Sequence, residues 1–121
     1  MLKKMSEDLM LVYGWGPEED GKLSSLLYIA ETALSMGMKT SIFLFTDAAI
    51  LSKQGNIQKV SGEMYSRFRR IVNDPNLGVY VCEEAARKRA ISPENLEEKL
   101  SIIGYATFLD IATKTKTVIT I

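Results

Sequence analysis

Apolar and polar positions along this chain follow two alternating periods. Leu9-Met-Leu-Val-Tyr13 is a continuous apolar run, as expected of a strand covered on both faces. Leu23, Leu26, Leu27, Ala30, Ala33 and Leu34 then recur at helical spacing, and Gly37 is a natural stop. Ser41-Ile-Phe-Leu-Phe-Thr46 reads as a second buried strand, followed by a short helical piece from Asp47 to Lys53. Ile57, Val60, Met64, Phe68, Ile71 and Val72 form one helical stripe, ended by Asn73-Asp74-Pro75-Asn76 because proline cannot continue a helix. Leu77 to Val81 is a third strand, and a helical segment runs from Glu83 to about Ala90. Ser92-Pro93 has the form of an N-cap followed by proline at the first helical position, which predicts a new short helix. Ser101-Ile-Ile103 is a brief fourth strand ending at Gly104, and Phe108, Leu109 and Ala112 mark a last helix. Thr117 to Ile121 alternates, which suggests a half-buried strand at a sheet edge.

Five strands alternating with helices predict an α/β domain built on a parallel sheet. The usual solution at this size is a flavodoxin-like sandwich, with strand order 2-1-3-4-5 and helices on both faces. Ligands in such sheets bind beyond the carboxyl ends of the strands, at the switch point, which this order puts between strands 1 and 3. The strand ends are Gly14-Trp15, Thr46-Asp47, Cys82-Glu83 and Gly104-Tyr105, so the cysteine is expected at the switch point.

Composition narrows the chemistry. The chain has 121 residues, one domain by size, with 46% hydrophobic and 25% charged residues, which is ordinary globular composition. Fifteen Lys and Arg balance fifteen Asp and Glu, so no general field draws the protein to nucleic acid or to an anionic membrane. Arg67-Phe-Arg69-Arg70 is a local basic cluster and reads as a solvated helix end near its negative pole. No apolar run approaches the ~18 residues that span a bilayer. The start, with Glu7 and Asp8 ahead of a short apolar run, is a poor signal peptide, so a cytoplasmic protein is expected. Cys82 is the one cysteine, and there is no histidine. Intrachain disulfides, CxxC redox pairs, Cys/His zinc sites and Ser-His-Asp or Cys-His catalysis within one chain are therefore excluded. No cofactor and no metal is expected.

One stretch imitates a phosphate-binding loop. Gly16-Pro-Glu-Glu-Asp-Gly21-Lys22 has the spacing of G-x-x-x-x-G-K-[ST] and lies between a strand and a helix. Glu18, Glu19 and Asp20 place three negative charges inside the cradle, and Leu23 stands where a Mg²⁺-binding hydroxyl is needed. The stretch reads instead as a turn at Gly16-Pro17, with the acids favourably set at a helix N-terminus. A flavin phosphate loop and a phospho-receiver fit no better. The turn after strand 1 is acidic, and strand 3 ends in Cys82 where a receiver has aspartate.

Cys82 is the chemical residue. Val79-Tyr-Val-Cys82-Glu-Glu-Ala-Ala places the thiol where a strand gives way to a helix. Unpaired N–H groups and the helix dipole favour a thiolate there, while Glu83 and Glu84 oppose it. The other reading is a small buried hydrophobe, since free cysteine is among the most buried residue types.

Several motifs carry a family resemblance. They are the strand-turn with Pro17, the helix ending at Met36-Gly37, and KTSIFLFTDAAILSKQG (39–55). VYVCEEAARKRAI (79–91) and IIGYATFLDIATKTKTVITI (102–121) complete the set. From about residue 9 to the end the chain resembles the DsrE/DsrF-like sulfur-relay family, which includes the TusD-type subunits. The resemblance divides it into an N-terminal extension, 1–8, and one DsrE/DsrF-like domain, 9–121. It implies a trimer or hexamer and a cysteine after strand 3, here Cys82, that carries sulfur as a persulfide or thiosulfonate. With one cysteine, a resolving thiol in the same chain is excluded. The expected function is that of a sulfur carrier or sulfurtransferase-like protein. Its pocket is expected to be lined by Gly14, Trp15, Thr46, Asp47, Glu83, Gly104 and Tyr105, and its partner is a sulfur-donor or acceptor protein. Trp15 alternatively fills a gap between helices or subunits, and Asp47 alternatively only caps its helix. The rival functions are a small-ligand-binding module and a structural subunit of a hetero-oligomer, each with an inert Cys82.

Overall fold

The computed structural model describes residues 6–121. The predicted strands and helices are present as β1 (Glu7–Tyr13), α1 (Asp20–Ser35), β2 (Thr40–Leu44), a 3-10 helix (Thr46–Ser52), α2 (Asn56–Val60), α3 (Gly62–Val72), β3 (Leu77–Cys82), α4 (Glu83–Lys88), β4 (Leu100–Ile103), α5 (Tyr105–Thr113) and β5 (Thr115–Thr120). All four strand pairings are parallel, giving an α/β sandwich with helices on both faces. Glu7 and Asp8 belong to β1, so the strand begins two residues before the expected start. The first five residues of the expected N-terminal extension lie outside the described residues.

The strand order corrects the expectation of 2-1-3-4-5. It is β4-β3-β2-β1-β5. Strand–helix alternation gives parallelism but does not say which strands are neighbours. The wrong order puts β2 at an edge, whereas all five residues of β2 are buried, as a central strand requires. From β1 to β4 each connection steps one strand in the same direction, so right-handed crossovers put their helices on one face. The return from β4 to the far side of β1 reverses the direction, and the same handedness puts α5 alone on the other face. The chain therefore leaves β3 toward one face and β4 toward the other. The switch point lies between β3 and β4, where Cys82 is paired with Ile103.

Register fixes what each face presents, because residues opposite one another in a parallel pair share a face. Leu9, Leu11 and Tyr13 align with Thr40, Ile42 and Leu44, and these with Leu77, Val79 and Val81. This face packs on Leu23, Leu26, Leu27 and Ala30 of α1 and on Phe68, Ile71 and Val72 of α3. On the other face Phe43 stacks on Phe108 of α5, with ring centroids 4.2 Å apart. α1 ends as expected: Gly37 adopts φ 78°, and the N–H of Met38 reaches back to the carbonyl of Ala33 at 3.0 Å. The basic cluster near the end of α3 is paired. Arg67 bonds Glu31 and lies over the Tyr28 ring, and Arg69 meets Glu98 at 3.1 Å.

Two helices differ from the pattern. The stripe from Ile57 to Val72 is two helices, because Ser61 turns extended and its Oγ accepts from the N–H of Met64, capping α3. The short helix expected at Ser92-Pro93 is a single turn. The N–H of Ser92 donates to Asn95 Oδ1 at 2.9 Å, and Asn95 donates back to the Ser92 carbonyl at 3.1 Å. The chain is then drawn beside residues 52–54: Gln54 N–H donates to Asn95 O and Glu97 N–H to Ser52 O, each at 2.8 Å. Tertiary pairing overrides the capping signal here.

Candidate functional site

The strand ends meet at a small polar cavity of about 150 Å³, lined by Thr46, Cys82, Glu84, Ala85, Lys88, Arg89 and Tyr105. Cys82 ends β3 and is the residue from which α4 starts. Only 2% of it is exposed. Ala85, one turn into α4, is small and buried, which leaves space beside the thiol. The other wall residues from α4 and its C-cap, Glu84, Lys88 and Arg89, are charged.

Thr46 enters from the end of β2 in an unusual backbone state. Its φ is 49°, a left-handed conformation that a β-branched residue adopts at a cost. The hydroxyl compensates: Oγ1 lies 3.0 Å from the carbonyl of Gly14 and 2.7 Å from that of Phe45, tying the ends of β1 and β2 together. Gly14 is needed for this approach, since a Cβ there would meet Phe45 Cζ and Thr46 Oγ1, both at 3.1 Å.

Two polar pairs frame the thiol. Arg89 donates to Asp47 Oδ1 at 2.7 Å and to the Ala85 carbonyl at 3.1 Å, which fixes its guanidinium. Tyr105, the first residue of α5, donates its hydroxyl to Glu84 Oε1 at 2.9 Å, and Lys88 stands 3.6 Å from Glu84 Oε2. The Tyr105 hydroxyl is pushed well above its ordinary range, first by the neighbouring Cys82 and then by its hydrogen bond to Glu84. The Glu84 carboxyl is lowered, first by the Tyr105 hydroxyl and then by Lys88.

The expected pocket residues therefore divide. Thr46 and Tyr105 share the cavity with Cys82. Gly14 supports Thr46 from behind, and Asp47 acts through Arg89. Glu83 is exposed and faces Gly104, where a Cβ would come 3.3 Å from its Oε1; neither lines the cavity. Trp15 is not part of the wall. Its Nε1 donates to the carbonyl of Ile121 at 3.1 Å, and Lys22 Nζ sits 4.4 Å from its ring centroid. The lysine of the phosphate-loop imitation is thus a cation–π partner, and the stretch forms a turn closed by Glu19 N–H on Gly16 O at 3.1 Å. Sequence reasoning missed Lys88 and Arg89. The available signal was helical spacing, since residues 84, 85, 88 and 89 share one face of a helix starting at Cys82.

A larger apolar groove of about 300 Å³ lies along α1 and β1, bordered by Leu9, Tyr28 and Met36, and shares no lining residue with the thiol cavity. Among the described residues no cluster of three or more acidic, cysteine or histidine side chains could hold a metal ion. No helix among them is long and apolar enough to cross a membrane.

Known proteins share this fold. The model of the DsrE/DsrF-like family matches residues 8–121. The chain belongs to the DsrE/DsrF-like family. It is 32% identical over 111 residues to an uncharacterized protein of Methanocaldococcus jannaschii; the match covers 89% of this chain and spans 40% of that protein's length. Among solved structures, the ychN protein of E. coli superposes with a TM-score of 0.72 at 18% identity, covering 95% of this chain and 99% of its own. A protein of unknown function from Methanobacterium thermoautotrophicum superposes with a TM-score of 0.65 at 10% identity, covering 94% and 100%. These two share the fold of this chain.

Proposed function

We propose that this protein is an intracellular sulfur carrier, sulfurtransferase-like in its chemistry, that holds sulfane sulfur on Cys82 and passes it to a partner thiol. The observation that carries the reading is the position of the sole thiol. It lines a polar cavity at the strand-end crevice of a DsrE/DsrF-like fold, with Lys88 and Arg89 on the same wall. The Cys82 thiolate attacks the outer sulfur of a persulfide R–S–SH. A new S–S bond forms at Cys82, the donor S–S bond breaks, and its electron pair leaves with R–S⁻. An acceptor thiolate then attacks the outer sulfur in turn and regenerates Cys82. No external oxidant or reductant is needed. Lys88 and Arg89 offset the negative charge on the attacking and departing sulfur atoms.

Assembly as a homo-oligomer, a trimer or hexamer, belongs to the same proposal. α5 has no buried residue, β5 is an edge strand exposed along most of its length, and Tyr105, Leu109 and Val118 are exposed apolar side chains. A patch of this kind is usual at interfaces, and Tyr105 connects it to the cavity. Light scattering after size exclusion is expected to give a trimer or a multiple of it; a monomer would remove this part.

The burial of Cys82 favours the rival reading, an inert thiol in a ligand-binding or structural subunit. Intact-mass analysis separates the two. Incubation with polysulfide, thiosulfate or tetrathionate is expected to add a sulfur-containing adduct that a thiol reductant removes and that Cys82→Ser cannot form. An unmodified wild type with all three donors would favour the rival.

A further inference from the structure

We propose that Glu84 and Tyr105 form a hydrogen-bond switch that positions and tunes the Cys82 thiol, with the Tyr105 hydroxyl passing between the Glu84 carboxylate and the sulfur. The inference deepens the sulfur-carrier reading only in what controls the reacting atom; its test uses no sulfur donor.

Three groups on one cavity wall make the switch: a buried thiol, a tyrosine hydroxyl and a carboxylate. Tyr105 has a single proton to donate. In the structure that proton goes to Glu84 Oε1 at 2.9 Å. The carboxylate has a second partner, because Lys88 Nζ is 3.6 Å from its other oxygen. Glu84 can therefore release Tyr105 without losing every cation or donor beside it. The thiol has no equivalent reserve. Arg89 is held by Asp47 and the Ala85 carbonyl, and the Thr46 hydroxyl faces the carbonyls of Gly14 and Phe45.

The two states follow from this arrangement. With Cys82 protonated, Tyr105 donates to Glu84. When Cys82 loses its proton to solvent, Tyr105 keeps its own proton and turns the O–H to the sulfur, while Lys88 retains Glu84. The Tyr105 ring is half exposed and starts a helix with no buried residue, so this rotation meets little packing resistance. Glu84 thus opposes the thiolate twice, by its charge and by competing for the one donor. The charged groups around the sulfur are Glu84 and Lys88 from α4 and Arg89 just after it, with Asp47 behind Arg89; Glu83, beside Gly104, lies off the cavity.

The test is the pH profile of Cys82 alkylation by iodoacetamide, on the intact protein, for wild type, Tyr105→Phe, Glu84→Gln and the double variant. Tyr105→Phe keeps the ring and removes the donor. Its profile is expected to move to higher pH, with labelling about tenfold slower below the transition, the effect of one charge-assisted hydrogen bond. Glu84→Gln is expected to move the profile to lower pH. In the Tyr105→Phe background the same Glu84→Gln change is expected to have a smaller effect, because the competition is gone. An unmoved profile in Tyr105→Phe, equal Glu84→Gln shifts in both backgrounds, or a thiol that resists alkylation at every pH would each overturn the switch. If Tyr105→Phe does not fold, Tyr105→Leu replaces it in both backgrounds with the same expected shifts, and a Glu84→Gln shift to higher pH contradicts the proposal by itself. Loss of sulfur loading with an intact labelling pattern would instead count against the carrier reading alone.

Discussion

α1 and α5 cover opposite faces of one sheet and are built on different principles. α1 buries Leu23, Leu26, Leu27, Ala30 and Ala33 against the sheet and α3. α5 buries no residue; its Phe108 stacks on Phe43 while Tyr105 and Leu109 face outward. The first face is a closed core that supports the strands. The second is partly open and carries the wall of the thiol cavity through Tyr105. Crossover handedness produces this asymmetry. Four strands follow one another in one direction and their helices share a face, whereas the single returning connection leaves one helix to cover the other face. The closed core and the open face are thereby separated, and the thiol cavity sits at their boundary, walled by α4 from the first side and by Tyr105 from the second.

The separation can be broken first at its strongest point. Leu27→Ala, in the closed core, is expected to cost about 2–5 kcal/mol in denaturant unfolding. A cost under about 1 kcal/mol would mean that α1 is not the main support. A second measurement concerns Tyr13, whose side chain is fully buried with no hydrogen-bond partner for its hydroxyl among the described residues. Burial, with Glu19 and Glu18 adding to it, pushes its ionisation from 10.0 up to about 12. The folded state thus favours the neutral phenol. Its contribution is complete below pH 10 and is lost as pH rises through about 12, a decline of about 2–3 kcal/mol. Tyr13→Phe is expected to flatten this alkaline decline and to leave stability at neutral pH equal or higher, since it removes an unsatisfied hydroxyl. A strongly destabilised variant at neutral pH would show that the hydroxyl has a partner.

Smaller effects sharpen the contrast. Ser61→Ala removes the cap of α3 and is expected to cost about 1 kcal/mol, read from the unfolding midpoint. Leu109→Ala, on the open face, is expected to change protomer stability by no more than about 0.5 kcal/mol. Its effect should appear instead in the mass measured by light scattering. A large stability loss with unchanged mass would place Leu109 in a core rather than at an interface.

The sequence was readable where a signal is local. Continuous apolar runs marked β1 and β2, helical spacing marked α1, and Gly37 marked its end. Strand order was not local information. Alternation cannot distinguish 4-3-2-1-5 from 2-1-3-4-5; the burial of every residue of β2, seen in the fold, does. The same limit applied at the site. Cys82 stood at the end of a strand in either order, so its place at the switch point survived the error, although the switch point itself moved from strands 1 and 3 to strands 3 and 4. Thr46 and Tyr105 follow neighbouring strand ends and were found the same way. Trp15 also follows a strand end, but β1 is separated from β3 by β2, and its indole reaches the end of β5 instead. Lys88 and Arg89 are on a helix rather than at a strand end, and a search confined to strand ends passes over them.

The central claim is that Cys82 both accepts and returns sulfur. The most direct test loads the protein with an isotopically labelled persulfide donor, removes the donor, and then adds a small acceptor thiol. The account predicts that label leaves the protein and appears on the acceptor in a one-to-one ratio with Cys82, with none carried by Cys82→Ser. Label that never enters, or that enters Cys82 and cannot be withdrawn by the acceptor thiol, would contradict it.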